Sequence, residues 1–311
     1  MDSLCFFLYK DKKQKIPKVI FPEMSDDPHN CAKPPSAFVQ NEQRTVRVST
    51  WNVNSVKARL PVLTAYLQEK KPDIVMLQEI KTETENFPAF ELSSLGYYSL
   101  AKGQKSYNGV ALAAREPLEQ IRDTLPGTPD DGEQARFIEA YCPALKTRLI
   151  SVYVPNGEPP ATDPDSTCKL EYKLAWLDAL AAYAARLSEQ DDPFIIGGDF
   201  NVIEYDGDVY DPAAFKNTAF TVLPVRQRFR AFYYTGLTNA LRRAGPRGRT
   251  LYSYWDYRSG AWEKNNGILL DHLFLSPVWA DKLISSDVDS ETRSVQKASD
   301  HAPVSCLLSP I

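Results

Sequence analysis

Apolar and polar positions along this chain fall into two rhythms after residue 44 and into neither before it. TVRVSTWNV (45–53) alternates and then turns apolar, which predicts a strand. VKARLPVLTAYLQEK (56–70) predicts a helix with Pro61 in a first turn, where a missing N–H costs nothing. KPDIVMLQE is a strand opened by Pro72 and Asp73, with Ile74 to Leu77 buried. VALAAR, ARFIEAYC and RLISVYV read as three further strands. KLEYKLAWLDALAAYAARLSEQ is the clearest helix, its apolar face carried by Leu170, Leu174, Leu177, Ala181, Ala184 and Leu187. DDPFIIGGDFNV, LYSYWDYR, ILLDHLFLS and HAPVSCLLS complete the strands. Strands that occur both alone and separated by helices predict an α/β domain of two packed mixed sheets with helices outside. No linker interrupts residues 45–311, which are read as one domain. Residues 1–44 carry five prolines, the basic run KDKKQKIPK and no sustained period, so a disordered N-terminal extension is expected.

Composition narrows this picture only a little. The chain has 311 residues, 43% of them apolar, and a net charge of −4, which argues against a surface that binds nucleic acid all over but leaves room for a local basic face. Its five cysteines are odd in number, widely spaced and never in a CxxC pair, which fits a reducing compartment and offers no zinc site. The apolar run LCFFLY (4–9) is too short to span a membrane and has no basic lead-in. A soluble, cytoplasmic protein without a membrane partner is expected.

The informative feature is how the strands end. VSTW runs into Asn52 and Asn54, IVMLQ into Glu79, FIIGG into Asp199 and Asn201, and GILL into Asp271; ISVYVP carries Tyr153 and leads to Asn156. One such ending is an ordinary turn. Five suggest polar groups presented from a rigid frame. Asp199 and Asn201 have the i, i+2 spacing of one strand face, and Gly197 and Gly198 before them permit close backbone approach. Of three histidines, His29 lies in the extension, His272 follows Asp271, and His301 follows Asp300. Neighbours on an extended strand point to opposite sides, so Asp300 is badly placed to orient His301, and Asp271 is the better candidate. By the same alternation His272 faces away from any site that Asp271 faces. Carboxylates without cysteine favour a hard cation, Mg²⁺ or Mn²⁺. No phosphate-binding glycine loop and no G-x-S-x-G serine are present. What remains suits activation of water against a phosphate ester.

WNVNSVKAR, LQEIK, YNGVA, QARFIEAY, VYVPNGE, KLEYKLAWLDAL, GGDFNV, DVYDP, YSYWDYRSGAW, LLDHLFLSP and SDHAPV, in this order from about residue 47 to 308, resemble exodeoxyribonuclease III. That is the bacterial branch of the class II abasic-site endonucleases, within the endonuclease/exonuclease/phosphatase superfamily. The resemblance implies a four-layer αββα sandwich with its active site at one edge of the two sheets. It also implies roles: Glu79 as principal metal ligand with Asn52 beside it and Asp300 assisting, Asp199 as base for the water, Asn201 placing water or phosphate. His301, held by Asp271, would stabilise the phosphate's added charge, and Tyr153 would contact phosphate or move a proton. Tyr254, Trp255 and Leu270 match positions bordering the pocket for a flipped sugar. Two departures stand out: Asn239 where relatives often have aspartate, and Leu269 where an arginine is common. The implied substrate is double-stranded DNA with abasic sites or 3′ ends, cleaved by a monomer; the competing reading keeps the chemistry but takes a lipid or inositol phosphate.

One stretch bears on that choice. Between Pro212 and Trp255 stand eight basic residues and no acidic one, Arg226, Arg228 and Arg230 among them, interleaved with aromatics. Arginines here are expected to meet phosphates.

Overall fold

The computed structural model describes residues 45–310 apart from 131, 160–162, 164 and 191. The expected N-terminal extension lies outside the described residues. Residues 42–311 group as one compact unit. In chain order the strands are β1 (Val46–Asn52), β2 (Ile74–Gln78), β3 (Tyr98–Lys102), β4 (Val110–Ala114), β5 (Glu119–Arg122), β6 (Phe137–Cys142), β7 (Thr147–Tyr153), β8 (Phe194–Asp199), β9 (Thr238–Asn239), β10 (Asp271–Leu275), β11 (Leu283–Val288) and β12 (Val304–Leu308). The helices are α1 (Val56–Glu69), α2 (Ala89–Ser94), α3 (Cys168–Glu189), α4 (Leu223–Tyr233), α5 (Ala240–Ala244), α6 (Pro277–Ala280) and α7 (Glu291–Ser294).

Two six-stranded sheets result, ordered β11-β12-β1-β2-β4-β3 and β5-β6-β7-β8-β10-β9. Each is mixed: β1–β2 and β7–β8 run parallel and their neighbours antiparallel. The central strands explain their own apolar runs, because they are buried on both faces. Ile74 and Met76 of β2 point between the sheets, against Leu149, Ile195 and Leu273. Val75 and Leu77 point outward, under Leu63 and Leu67 of α1. Phe194 and Ile196 of β8 likewise point outward, under Trp176 and Leu180 of α3 and Phe229 of α4. Helix, sheet, sheet, helix is thus the layer order, an αββα sandwich. Each fully buried Leu or Ile contributes about 1.5–3 kcal/mol. Gly197 lets the sheets close up: a Cβ there would meet Met76 Sδ at 2.6 Å and Leu273 Cδ2 at 2.7 Å.

Three local readings are corrected. Pro61 lies inside α1, beyond the first turn. LYSYWDYR forms no strand, only isolated bridges from Tyr254 to Ile268 and His301. The buried face of α3 runs through Lys173, Trp176, Leu177, Leu180, Tyr183, Ala184 and Leu187, while Leu170, Leu174 and Ala181 are only partly buried at its margin. The two departures from the family pattern have structural settings. Leu269 is buried between the sheets. Asn239 caps α5 by accepting from Arg242 N and sets its amide 3.1 Å from His272 Nδ1.

His272 is buried under α4, with Phe229 at 5.5 Å and Phe274 at 5.8 Å between ring centroids, and its Nε2 has no partner. Burial first, and the charge of Arg242 second, hold its pKa well below the usual value of 6.5. Folded His272 is therefore neutral. The unfolded chain gains a proton there below pH 6.5, so this contribution to stability is present above that pH and lost as pH falls. The parent is expected to lose about 1 kcal/mol more than His272→Gln between pH 6.5 and 5.5. Urea unfolding at both pH values tests it; parallel losses would refute it.

Candidate active site

The central strands of the two sheets end at one edge, and the register brings their last residues level. Asn52 pairs with Gln78 across β1–β2, so Glu79 emerges beside Asn52. Tyr153 pairs with Asp199 across β7–β8, and Asp199 with Asp271 across β8–β10. The sheets are tied just beneath this edge, where Gln78 Nε2 donates to Ser151 Oγ at 3.0 Å and Ser151 Oγ to Leu77 O at 3.1 Å, all buried. The segment before β12 completes the edge: Trp51 Nε1 donates to His301 O at 3.0 Å, and Ser299 Oγ to Asn52 O at 2.7 Å. The turns that follow the strands use left-handed backbone at non-glycine residues, with φ of 44° at Asn54, 50° at Glu79, 49° at Lys81 and 51° at Asn201. Such dihedrals cost about 1–3 kcal/mol each and gather where a framework aims side chains.

The side chains form one hydrogen-bonded group. Asn52 Nδ2 donates to Glu79 Oε1 at 2.8 Å and to Asp199 Oδ2 at 3.0 Å. The Tyr153 hydroxyl donates to Glu79 Oε1 at 2.8 Å, and the Arg136 guanidinium lies 4.7 Å from its ring. Asn201 N donates to Asp199 Oδ1 at 2.9 Å, and Asn201 Nδ2 to Val154 O at 2.9 Å. His301 Nδ1 lies 2.8 Å from Asp271 Oδ2, which also accepts from Ser253 Oγ at 2.6 Å. His301 Nε2 lies 3.8 Å from Asp199 Oδ2. Asp300 turns the other way and accepts from Asn54 Nδ2 at 3.0 Å. Glu79, Tyr153, Asp199, Asn201, Asp300 and His301 line one cavity of about 530 Å³. Phe215, Phe220, Tyr254, Ile268 and Leu270 also line it, with the Tyr254 ring 4.9 Å from that of His301.

Electrostatics separates the groups. Burial works against a charged His301, yet Asp271 and Asp199 outweigh it and raise its pKa to about 10. Burial raises Asp199, relieved by His301 and reinforced by Asp271, to about 7. Burial, then the charges of Glu79 and Asp199, hold the Tyr153 phenol well above 10, so it stays protonated. Burial also opposes ionisation of Glu79, but Lys81 and Asn52 more than compensate and lower its pKa. At neutral pH the site thus carries an imidazolium at His301, a firm carboxylate at Glu79 and a carboxylate, Asp199, poised to exchange a proton.

Two groupings could attract a cation. Asp199, Asp271 and His301 lie within 4.8 Å of one another, but the His301–Asp271 hydrogen bond already occupies that set. Glu79 and Asp300 offer carboxylate oxygens, and Asn52 an amide oxygen that accepts from Asn54 N at 3.1 Å; these are the donor types of a hard cation. The Lys81 ammonium sits 2.7 Å from Glu79 Oε2. The donor chemistry therefore fits Mg²⁺ or Mn²⁺ on the Glu79 side.

Other expected site residues lie elsewhere. Trp255 packs in the core between the sheets and donates to Asn265 Oδ1 at 3.1 Å, away from the cavity that Tyr254 and Leu270 line. Arg226 pairs with Asp206, Arg228 with Asp178 and Arg230 with Glu204; Arg242 and Arg249 are also paired, with Asp208 and Asp287. Five of the eight basic residues of this segment are thus paired with acids from other segments, and none of these five arginines lines the cavity. Sequence reasoning missed Lys81, Ser253, the wall residues Phe215 and Phe220, and Lys173. Only Lys173 left a signal: stepping back from Trp176 along the buried stripe of α3 lands on it.

The fold and geometry agree with what the chain resembles. Residues 49–301 match the Endonuclease/Exonuclease/phosphatase family. Exodeoxyribonuclease III of Haemophilus influenzae is 30% identical over 82% of this chain and 97% of its own. An AP endonuclease from Archaeoglobus fulgidus superposes with a TM-score of 0.78 at 31% identity, covering 85% of this chain and 99% of its own. The 3′ phosphatase NExo from Neisseria, solved with a product DNA hairpin, gives the same TM-score and coverage at 36% identity.

Proposed function

The chain belongs to the endonuclease/exonuclease/phosphatase family, and from that premise we propose that it is a Mg²⁺-dependent DNA repair nuclease that cleaves 5′ to abasic sites and trims 3′ ends or blocks. The observation that carries this reading is the placement of Asp199 between Asn52 and His301, in a cavity that apolar side chains such as Phe220 and Leu270 also line. Asp199 takes the proton of the attacking water. Its two oxygens are oriented by Asn52 and Asn201, and its pKa near 7 suits transfer at neutral pH. Tyr153, whose phenol stays protonated, acts as a donor rather than the base. His301, charged and oriented by Asp271, donates from Nε2 to a non-bridging phosphate oxygen as negative charge grows there. Glu79, Asn52 and Asp300 would hold the cation, Mg²⁺ or Mn²⁺, which would supply positive charge against the growing negative charge of the phosphate. Tyr254 and Leu270 meet the sugar. The relatives named for AP endonuclease and 3′ phosphatase activities support duplex DNA as substrate. Every group of the site comes from one chain, which supports action as a monomer. Free thiols at Cys142, Cys168 and Cys306 support a reducing, cytoplasmic setting; among the described residues no helix is long and apolar enough to cross a membrane.

One labelled duplex set tests this, carrying an abasic site, a 3′ phosphate or a blunt end, with Mg²⁺ and with EDTA. Incision 5′ to the abasic site with Mg²⁺, abolished by EDTA, is the expected result. No incision with Mg²⁺ or Mn²⁺, or faster turnover of an inositol phosphate or phospholipid, would overturn it.

A further inference from the structure

Helix α3 buries an amine: burial pushes the Lys173 pKa down to about 7 against the charges of Asp199 and Glu158, while three carbonyl acceptors around it call for all three donors of the ammonium. Lys173 is fully buried, and its ammonium meets three main-chain carbonyls: Asn156 O at 2.9 Å, Asn201 O at 2.6 Å and Ala219 O at 2.8 Å. An ammonium has three donors, so all are used and none is left for a substrate. The carbonyls belong to three separate segments: the turn after β7, the turn after β8, and the stretch ahead of α4. Further contacts reinforce the junction. Glu158 Oε1 accepts from Ala219 N at 2.7 Å, and the Phe220 ring lies 5.2 Å from Lys173 Nζ. Gly157 has φ of 86°, and a Cβ there would lie 2.7 Å from Lys173 Cδ, so the lysine stem fills the space beneath that turn.

A buried ammonium is expensive, and an apolar side chain of similar length would pack the same stem without that cost. What the charge adds is directional. Asn201 donates its N–H to Asp199 Oδ1 and gives its carbonyl to Lys173, so the lysine holds the residue that orients Asp199. Ala219 adjoins Phe220, which lines the cavity with Phe215. One amine therefore links the polar residues of the cavity to its aromatic ones.

We propose that Lys173 is a positioning residue that fixes the spacing between Asp199 and Asn201 on one side and Phe215 and Phe220 on the other, and so selects the sugar unit accepted at the scissile phosphate. This rests on the nuclease reading above. In Lys173→Met, kcat on an abasic duplex is expected to fall by about 10²-fold, the cost of a misplacement near 1 Å, with KM little changed. The ratio of abasic incision to removal of an ordinary 3′ nucleotide is expected to fall with it, because a wall free to move discriminates less. Lys173→Arg, which keeps the charge and donors, should recover part of both. Amide hydrogen exchange of the metal-free protein at residues 201–203 and 219–221 should speed up in Lys173→Met. A folded Lys173→Met with parental kcat and ratio would overturn the proposal, as would Lys173→Arg failing as badly as Lys173→Met. If Lys173→Met does not fold, Glu158→Ala carries the test, since it cuts the tie to Ala219 N: faster exchange at 219–221 and a lowered ratio support the clamp, and parental values of both overturn it. If the parent cleaves neither DNA, exchange still decides. Faster exchange in Lys173→Met upholds the clamp and places the failure in the nuclease reading; unchanged exchange overturns the clamp.

Discussion

Asp199→Asn is expected to lower kcat on an abasic duplex by about 10²–10⁴-fold, the usual contribution of a positioned general base. KM should stay close to parental, because the amide keeps the shape and can still accept from Asn201 N, giving up only the bond from Asn52 Nδ2. Stability should not suffer. Asp199 is a buried carboxylate whose pKa burial raises to about 7, so its charge is costly to the folded state, and a neutral side chain removes that cost. The variant should therefore melt at or above the parental temperature at pH 8. A loss of activity joined to unchanged or higher stability separates a chemical role from a structural one. Measurement of kcat, KM and thermal unfolding on one preparation is sufficient. Should kcat remain within tenfold of parental, the base lies elsewhere, and Tyr153→Phe becomes the decisive variant.

What could be read in the sequence follows from burial. Strands buried on both faces, such as β2 and β8, announce themselves as apolar runs, and their polar last residues converge because parallel central strands of both sheets end at one edge. Edge strands carry no such run. In β5, Glu119–Arg122, three of four residues are exposed, and β11 mixes Ser285, Ser286 and Asp287 with its apolar positions. LYSYWDYR misleads for a related reason: its alternating aromatics serve different surroundings, Trp255 the core between the sheets and Tyr254 the cavity.

Charge is the least legible property. Each arginine of α4 is paired in the fold with an acid from another segment. Arg228 finds its partner Asp178 on α3, 50 positions earlier, and Arg226 finds Asp206, 20 positions earlier. Lys173 shows the converse. A single lysine in an apolar stripe reads as an interruption, and only the folded chain supplies the three carbonyls that make its burial tolerable. Spacing along the chain locates rigid strand ends well and locates partners across loops poorly, since those partners are set by tertiary contact.

The same logic fixes what to expect of the His301–Asp271 pair. His301→Gln should lower kcat by about 10²–10³-fold, as loss of one donor to a developing oxyanion commonly does. Asp271 reaches the substrate only through His301, so it is a positioning residue, and its loss has a different signature. Asp271 is the largest influence raising the His301 pKa to about 10 against the effect of burial. Without it the imidazole gives up its proton at lower pH. Relative to the parent, Asp271→Asn should therefore keep most activity in mildly acidic solution, where protonation of Asp199 slows both enzymes, and lose it as pH rises through the lowered pKa, where the parent remains active. The double variant should be no worse than His301→Gln alone, because the second change removes support for a group already gone. Profiles of kcat against pH for the parent, both single variants and the double variant read all of this at once. Additive losses in the double variant, or an alkaline limb that does not move in Asp271→Asn, would show that the two side chains act independently despite the 2.8 Å between Nδ1 and Oδ2.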